Sequence, residues 1–327
     1  MSFPRHSVAG AALAFLVTLP PLGAAHAQDA GTLKKIKDTG AITIGNRESS
    51  FGFSYNDGSS VPIGYSIDIC MKIVDAIKTE LKLPKIEVKY QTVTSQNRIP
   101  LVSNGTVDIE CGSTTNLVER QKDVAFSPDI FRYNVRMAVK ADSGIRSIAD
   151  LQGKTVVTTT GTTSFRLLRE ADKGKSLELT QLNGKDHSDS FLLVESGRAA
   201  AFVLDDILLA GQIANARNPK DYLIVGESLR TENQALMYRK DDPQFKAVVD
   251  RVVGGMMKSG EMEKLYNKWF MSPIPPKNIN INYPLNAETK EGFANPLQGG
   301  NTSGPALRQA QDRPRPVPRC STMIHCP

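Results

Sequence analysis

Between residues 41 and 111, stretches of strand length alternate with stretches of helix length, and this alternation constrains the fold more than any other feature. Ala41–Gly45 (AITIG) reads as a strand. Over 66–82, Ile67, Cys70, Met71, Val74, Ile77 and Leu81 recur on one helical face, with Ser66 as N-cap. Ile86–Val93 alternates at period two. Asn97–Ser103 predicts a short helix stopped at Asn104-Gly105, and Val107–Cys111 predicts the next strand. A β-α-β-α-β order implies a parallel sheet flanked by helices.

A second unit of the same kind begins near residue 140. Ser147–Leu151 reads as a short helix, Lys154–Thr159 as a strand and Ser164–Asp172 as a helix. A strand follows near 178–182, a helix near 189–197 and a strand at Ala200–Leu204. Beyond Tyr238 the chain is helical: Phe245, Val248, Val249, Val252, Val253 and Met256 recur at three and four, and Gly260–Phe270 makes a final helix. These last helices bring no complete sheet, so they are expected to return to the first unit. The chain then has two lobes joined by two crossings, near 136–141 and 230–237. Ligands favour the carboxyl ends of parallel strands, within the cleft such lobes enclose.

Those ends carry a particular set of side chains. Arg47 follows the first strand; Ser95 and Arg98 follow the second; Ser113, Thr114 and Thr115 follow the third, with Arg120 shortly after. In the second lobe Thr162, Thr163 and Ser164 open a helix, His187 lies in GKDHSDSF, and Asp205 and Asp206 end a strand. A guanidinium binds carboxylate through a planar fork, and hydroxyls with helix-terminal N–H groups complete an anion site. Three Arg and a His exceed what a neutral amino acid requires, and one Asp suits an ammonium group. The set balances an acidic amino acid, with two carboxylates and one ammonium.

Competing chemistries find less support. A Ser-His-Asp hydrolase would be expected to show a G-x-S-x-G elbow, which is absent. There is no H-E-x-x-H, no paired C-x-x-C and no phosphate loop. Cys320, Cys326 and His325 near the C-terminus lack a fourth ligand, so no metal or other cofactor is expected. Of the +6 net charge over 327 residues, most lies in 1–27 and 299–327, which leaves a near-neutral body and argues against a nucleic-acid stripe. Residues 1–27 combine Arg5, an apolar run over 8–19 and an Ala25-His26-Ala27 site, the pattern of a secretory signal cleaved after Ala27. Residues 299–327, rich in Gly, Pro and Arg, are expected to be a disordered tail. After export, Cys70 and Cys111 could pair or remain two buried thiols.

At these residues the chain resembles the glutamate/aspartate-binding proteins of bacterial ABC importers, within the periplasmic polar-amino-acid-binding family. The resemblance runs from about Gly31 to Asn286 and is dense in NRESS, TSQNRIPLVSNGTVDIECGSTTN, VERQKDVAFS, GTTS, KDHSDSF, ESGRAAAFVLDD and RKDDPQF. It implies an α/β, two-lobed type II periplasmic-binding fold, each lobe a mainly parallel sheet flanked by helices. The first lobe would take 28–137 and 233–298, the second 138–232. Arg120 would clamp the ligand's α-carboxylate with Ser113, Thr115 and Thr163, and Asp205 would take the α-ammonium. Arg47, Ser95, Arg98 and His187 would receive the side-chain carboxylate. The ligand would be L-glutamate or L-aspartate, the partners ABC permease subunits in the inner membrane, and the protein a periplasmic monomer without catalysis. Relatives often carry a cysteine just before RKDD where Leu236 stands here, which leaves Cys70 as the partner for Cys111. The same fold also hosts dehydratases of cyclohexadienyl acids such as prephenate. That alternative needs a carboxylic acid beside the leaving hydroxyl, with Glu48 and Glu110 as the local candidates.

Overall fold

The structure is a computed structural model that describes residues 31–296. The expected signal segment, the tail with Cys320, His325 and Cys326, and the cleavage site lie outside the described residues.

The first lobe is built from α1 (Thr32–Thr39), β1 (Ala41–Asn46), a hairpin of β2 (Ser49–Ser50) and β3 (Ser54–Tyr55), α2 (Tyr65–Glu80), β4 (Glu87–Thr92), α3 (Arg98–Ser103), β5 (Ile109–Glu110) and β6 (Val124–Phe126). The chain then forms β7 (Phe131–Lys140), β8 (Thr155–Thr159), α4 (Thr163–Lys175), β9 (Thr180–Gly184), α5 (His187–Glu195), β10 (Ala201–Asp205), α6 (Asp206–Asn215) and β11 (Tyr222–Gln234) of the second lobe. It returns through β12 (Met237–Arg239), α7 (Pro243–Ser259), α8 (Glu261–Phe270) and α9 (Ala287–Ala294). Helices α7 and α8 lie against α2 of the first lobe.

The two sheets share one plan. Their orders are β4-β1-β5-β12-β6 and β11-β7-β10-β8-β9. Parallel pairing joins β4, β1 and β5 in one, and β9, β8 and β10 in the other. In each sheet a single strand, β12 or β7, runs antiparallel to both neighbours. Each reversed strand is the first one the chain makes after crossing from the other lobe. It enters at the edge where the parallel strands end, and so runs against them.

Several boundaries differ from the sequence expectation. The first crossing falls at 127–130 rather than near 136–141, and the second narrows to 235–236 within the expected 230–237. Phe131, Tyr133 and Val135 alternate inward along β7, and Phe131–Val135 pair with Arg230–Gln234 of β11 beyond a bulge. Residues 230–234 thus lie in a strand pair where a connecting segment was expected. Helix α2 starts at Tyr65 with Gly64 as N-cap, and Ser66 Oγ instead donates to the Gly112 carbonyl at 2.7 Å. The strand expected over Val107–Cys111 pairs only at Ile109–Glu110. Helix α5 starts at His187, with Asp186 accepting from its amide as N-cap.

Cys70 of α2 is bonded to Cys111, directly after β5, with Cα atoms 6.3 Å apart. The bond ties the first long helix to the start of the loop carrying Ser113, Thr115 and Arg120. Behind it, Phe53, Tyr65, Phe131, Tyr266 and Phe270 pack against one another, mostly edge-on or tilted with Phe131 stacked on Tyr266, and join the two lobes' cores.

Candidate ligand-binding site

Parallel strands within a sheet end on the same edge, and the two edges face each other here. A small cavity, about 10 Å³, lies between them. The first lobe lines it with Ser95, Arg98, Ser113 and Thr115; the second with Thr162, Thr163, His187, Leu204, Asp205 and Leu208. Seven of the nine sequence-predicted ligand residues therefore meet at one cavity. Arg47 and Arg120 stand outside its wall: Arg47 is fully buried behind it, and Arg120 is half-buried at the rim.

Arg47 bridges the lobes. Its Nη2 donates to Asp186 Oδ1 at 3.1 Å and faces His187 Nε2 at 3.4 Å, while its Nε and Nη1 are buried without partners. Gly112 makes room for this side chain, since a Cβ there would lie 2.8 Å from Arg47 Cγ and 2.1 Å from Glu110 Oε1. Arg98 donates through Nη1 to the Ser113 carbonyl at 3.2 Å, and its Nε has no partner. Ser95 Oγ is likewise buried and unpartnered. A buried donor without an acceptor costs about 1–3 kcal/mol, more when charged. Four such donors, on Arg47, Arg98 and Ser95, make this part of the site receptive to carboxylate oxygens.

The titratable groups respond to burial and to one another. Burial, together with the nearby Arg120 and Arg47, pulls Arg98 down to about 9. Burial also lowers Arg120. His187 is pushed down to about 3 by burial and by Arg47, so its imidazole is neutral. Asp186 stays below the ordinary carboxylate range: burial opposes its ionisation, but Arg47 and His187 outweigh it. Asp205 rises to about 8 through burial and the charge of Glu232. Its Oδ2 accepts from Gln234 Nε2 at 3.2 Å.

Glu232 is a site residue that sequence reasoning missed. It sits fully buried on β11, with Arg230 as its ion-pair partner. Its Oε2 accepts from Thr163 Oγ1 at 2.6 Å, Tyr133 Oη at 2.9 Å and Thr115 Oγ1 at 3.4 Å. Two of the predicted ligand hydroxyls thus already serve a carboxylate of the protein itself. Asp186 was missed as well, although its position before a helix beginning HSDSF is a readable N-cap signal. Arg120 donates to the carbonyls of Thr115, at 2.9 Å, and of Gly161 in the other lobe, at 3.3 Å. Of the carboxylic acids required by the dehydratase alternative, Glu48 is exposed and Glu110 accepts from Thr114 Oγ1 at 2.6 Å; neither lines the cavity. No metal-ligand cluster exists among the described residues.

Two α/β lobes, crossed twice by the chain and enclosing a polar cavity at their strand ends, define a type II periplasmic binding fold. The chain belongs to the bacterial extracellular solute-binding proteins, family 3, whose family model matches residues 42–272. It is 51% identical over 267 residues to the L-glutamate/L-aspartate-binding protein of Pseudomonas aeruginosa, covering 81% of this chain and 88% of that one. It is 47% identical over 290 residues to the glutamate/aspartate import solute-binding protein of Escherichia coli, covering 87% and 96%. Among solved structures, a mutant ArgBP from T. maritima superposes with a TM-score of 0.64 at 27% identity, covering 72% of this chain and 98% of that one.

Proposed function

We propose that this chain captures L-glutamate or L-aspartate between its lobes and delivers it to the permease of an ABC importer. The observation that carries this reading is the set of buried, unpartnered donors on Arg47, Arg98 and Ser95, in or beside the cavity wall. Such donors favour a second carboxylate, and the names of the 51% and 47% identical relatives point the same way. The ligand's α-carboxylate goes to Arg120 with Ser113, Thr115 and Thr163; its ammonium goes to Asp205; its side-chain carboxylate goes to Arg47, Ser95, Arg98 and His187. The segments 127–130 and 235–236 act as the hinge, and closure desolvates ion pairs that are then matched on both sides. Capture is binding without turnover, by a monomer working in the periplasm after cleavage behind Ala27.

Calorimetric titration with L-glutamate, L-aspartate and L-glutamine tests the reading. Micromolar binding of the two acids, about 8 kcal/mol, with glutamine much weaker, is the expected result. Tight glutamine binding would overturn the distal arginine pocket. Absence of all binding together with turnover of prephenate would replace capture by dehydration.

A further inference from the structure

His187 is held at both ring nitrogens, and both ends specify the same tautomer. Nε2 faces Arg47 Nη2 at 3.4 Å, and a guanidinium only donates, so Nε2 is an acceptor. Nδ1 lies 3.0 Å from Thr159 Oγ1, which lies 2.8 Å from Ser190 Oγ, which lies 2.8 Å from the Asp186 carbonyl oxygen. The carbonyl can only accept, so Ser190 donates to it. Ser190 therefore accepts from Thr159, and Thr159 accepts from Nδ1–H. The ring is neutral, with its hydrogen on Nδ1 and a lone pair on Nε2. Thr159 and Ser190 are fully buried, neither lines the cavity, and neither belongs to the ligand set proposed above.

We propose that Thr159 and Ser190 are positioning residues that hold His187 with a lone pair on Nε2, so that a ligand's second carboxylate binds there only together with one proton from solvent. This rests on the dicarboxylate reading above. A carboxylate has no hydrogen to offer Nε2, and two lone pairs repel. The proton passes from water or buffer to Nε2 and makes an imidazolium. That ring donates from Nε2 to the ligand and still donates from Nδ1 to Thr159. The hydrogen bond that Nε2 accepts from Arg47 Nη2 is given up, and that N–H turns to the incoming carboxylate. The charged groups facing the ring are Arg47, Asp186 and Arg98. Two cations against one anion keep the empty ring neutral, and an incoming carboxylate evens the balance. A primary amide supplies its own N–H to Nε2 and needs no proton, so the ring discriminates acid from amide in a pH-dependent way.

The test is calorimetry of the full chain with L-glutamate, at one pH, in two buffers of different ionisation enthalpy. Asp205 contributes its own proton change when the ammonium binds, and that change is common to all variants. The readout is therefore the difference between wild type and Ser190→Ala. In the variant Thr159 loses its acceptor and turns its hydrogen to Nδ1, which lets Nε2 carry the ring hydrogen without uptake. Wild type is expected to take up about one proton more, and its affinity to fall about tenfold more steeply per pH unit as pH rises. Equal proton counts in two binding-competent proteins would overturn the proposal. The wild-type ring itself provides a second test, through ¹⁵N spectra assigned with His187→Gln. Hydrogen on Nδ1 alone is expected in the free chain, and on both nitrogens with glutamate bound; an Nε2–H free form or a neutral bound form would overturn it. Binding without the extra proton removes only this proposal. Failure to bind either dicarboxylate removes the reading beneath it as well.

Discussion

The two halves of the proposed ligand set are prepared differently. Around Arg47, Arg98 and Ser95, buried donors have no partner. Thr115, Thr163 and Arg120 are already engaged: the hydroxyls serve Glu232, directly or through Tyr133, and Arg120 serves two backbone carbonyls, while the neighbouring Ser164 Oγ and the Nη1 of Arg230 are buried without partners. A ligand at the first half supplies acceptors to groups that lack them and recovers their desolvation cost. At the second half it must displace bonds that exist, and it gains only the difference. On the proposed subsites, discrimination between ligands would be concentrated in the first half, while the second would recognise what every α-amino acid shares.

The largest expected effects separate the two halves. Arg120→Ala should abolish binding of glutamate and glutamine alike, because it removes the guanidinium assigned to the α-carboxylate. Arg47→Ala should cost glutamate and aspartate about 2–5 kcal/mol, the range for breaking a buried charge pair, and leave a weak amide ligand unchanged. Calorimetry on both variants measures this directly. An Arg47→Ala protein with wild-type glutamate affinity would erase the contrast between the halves.

How far the sequence exposed this contrast follows from where each residue lies. Arg47, Ser95, Arg98, Ser113, Thr115, Thr163, His187 and Asp205 all follow strands whose local pattern is plain, and parallel topology brings such loops together. Glu232 follows no such strand end. It meets Thr163 and Thr115 of the cavity wall because β11 pairs with β7 in a register broken by a bulge between Val225 and Arg230. Local periodicity does not contain that long-range register, so the segment read as a connection. The ion pair of Arg47 with Asp186, between residues 139 apart in the chain, was hidden for the same reason. The charge count changed with it. Arg47 and Arg230 each have a carboxylate partner, so the cleft is less cationic than its arginines suggest.

Glu232→Gln tests the engaged half. It leaves Arg230 buried without its charge partner, and removing one member of such a pair costs about 3–5 kcal/mol, visible as a lower melting temperature. It also removes the second cause of the raised Asp205 pKa, which should fall from about 8 toward its ordinary 3.8. The sign of the linkage is definite. Folded Asp205 holds its proton between about 3.8 and 8 where the unfolded chain has lost it, so empty-protein stability falls as pH rises through that window. Denaturation at several pH values should show a shallower fall in the variant. The Cys70–Cys111 bond closes a loop with a sequence separation of 41, and a Cys70→Ser, Cys111→Ser pair should lose about 4 kcal/mol on the chain-entropy scale.

The smallest effect isolates closure from chemistry. Gly161 has φ 81° and brings the second lobe against the first: a Cβ there would lie 2.7 Å from the Gln96 backbone. Its carbonyl also accepts from Arg120 across the cleft. An alanine is strained at this φ in any state, but it collides with Gln96 only when the lobes meet. Gly161→Ala should therefore weaken binding about tenfold, or about 1.4 kcal/mol, and reduce the ligand-induced compaction seen by small-angle scattering. Because closure is common to all ligands, glutamate and any weak amide ligand should lose by the same factor. A selective loss of glutamate would mean that Gly161 acts on the distal donors, and that the two halves of the ligand set are not independent.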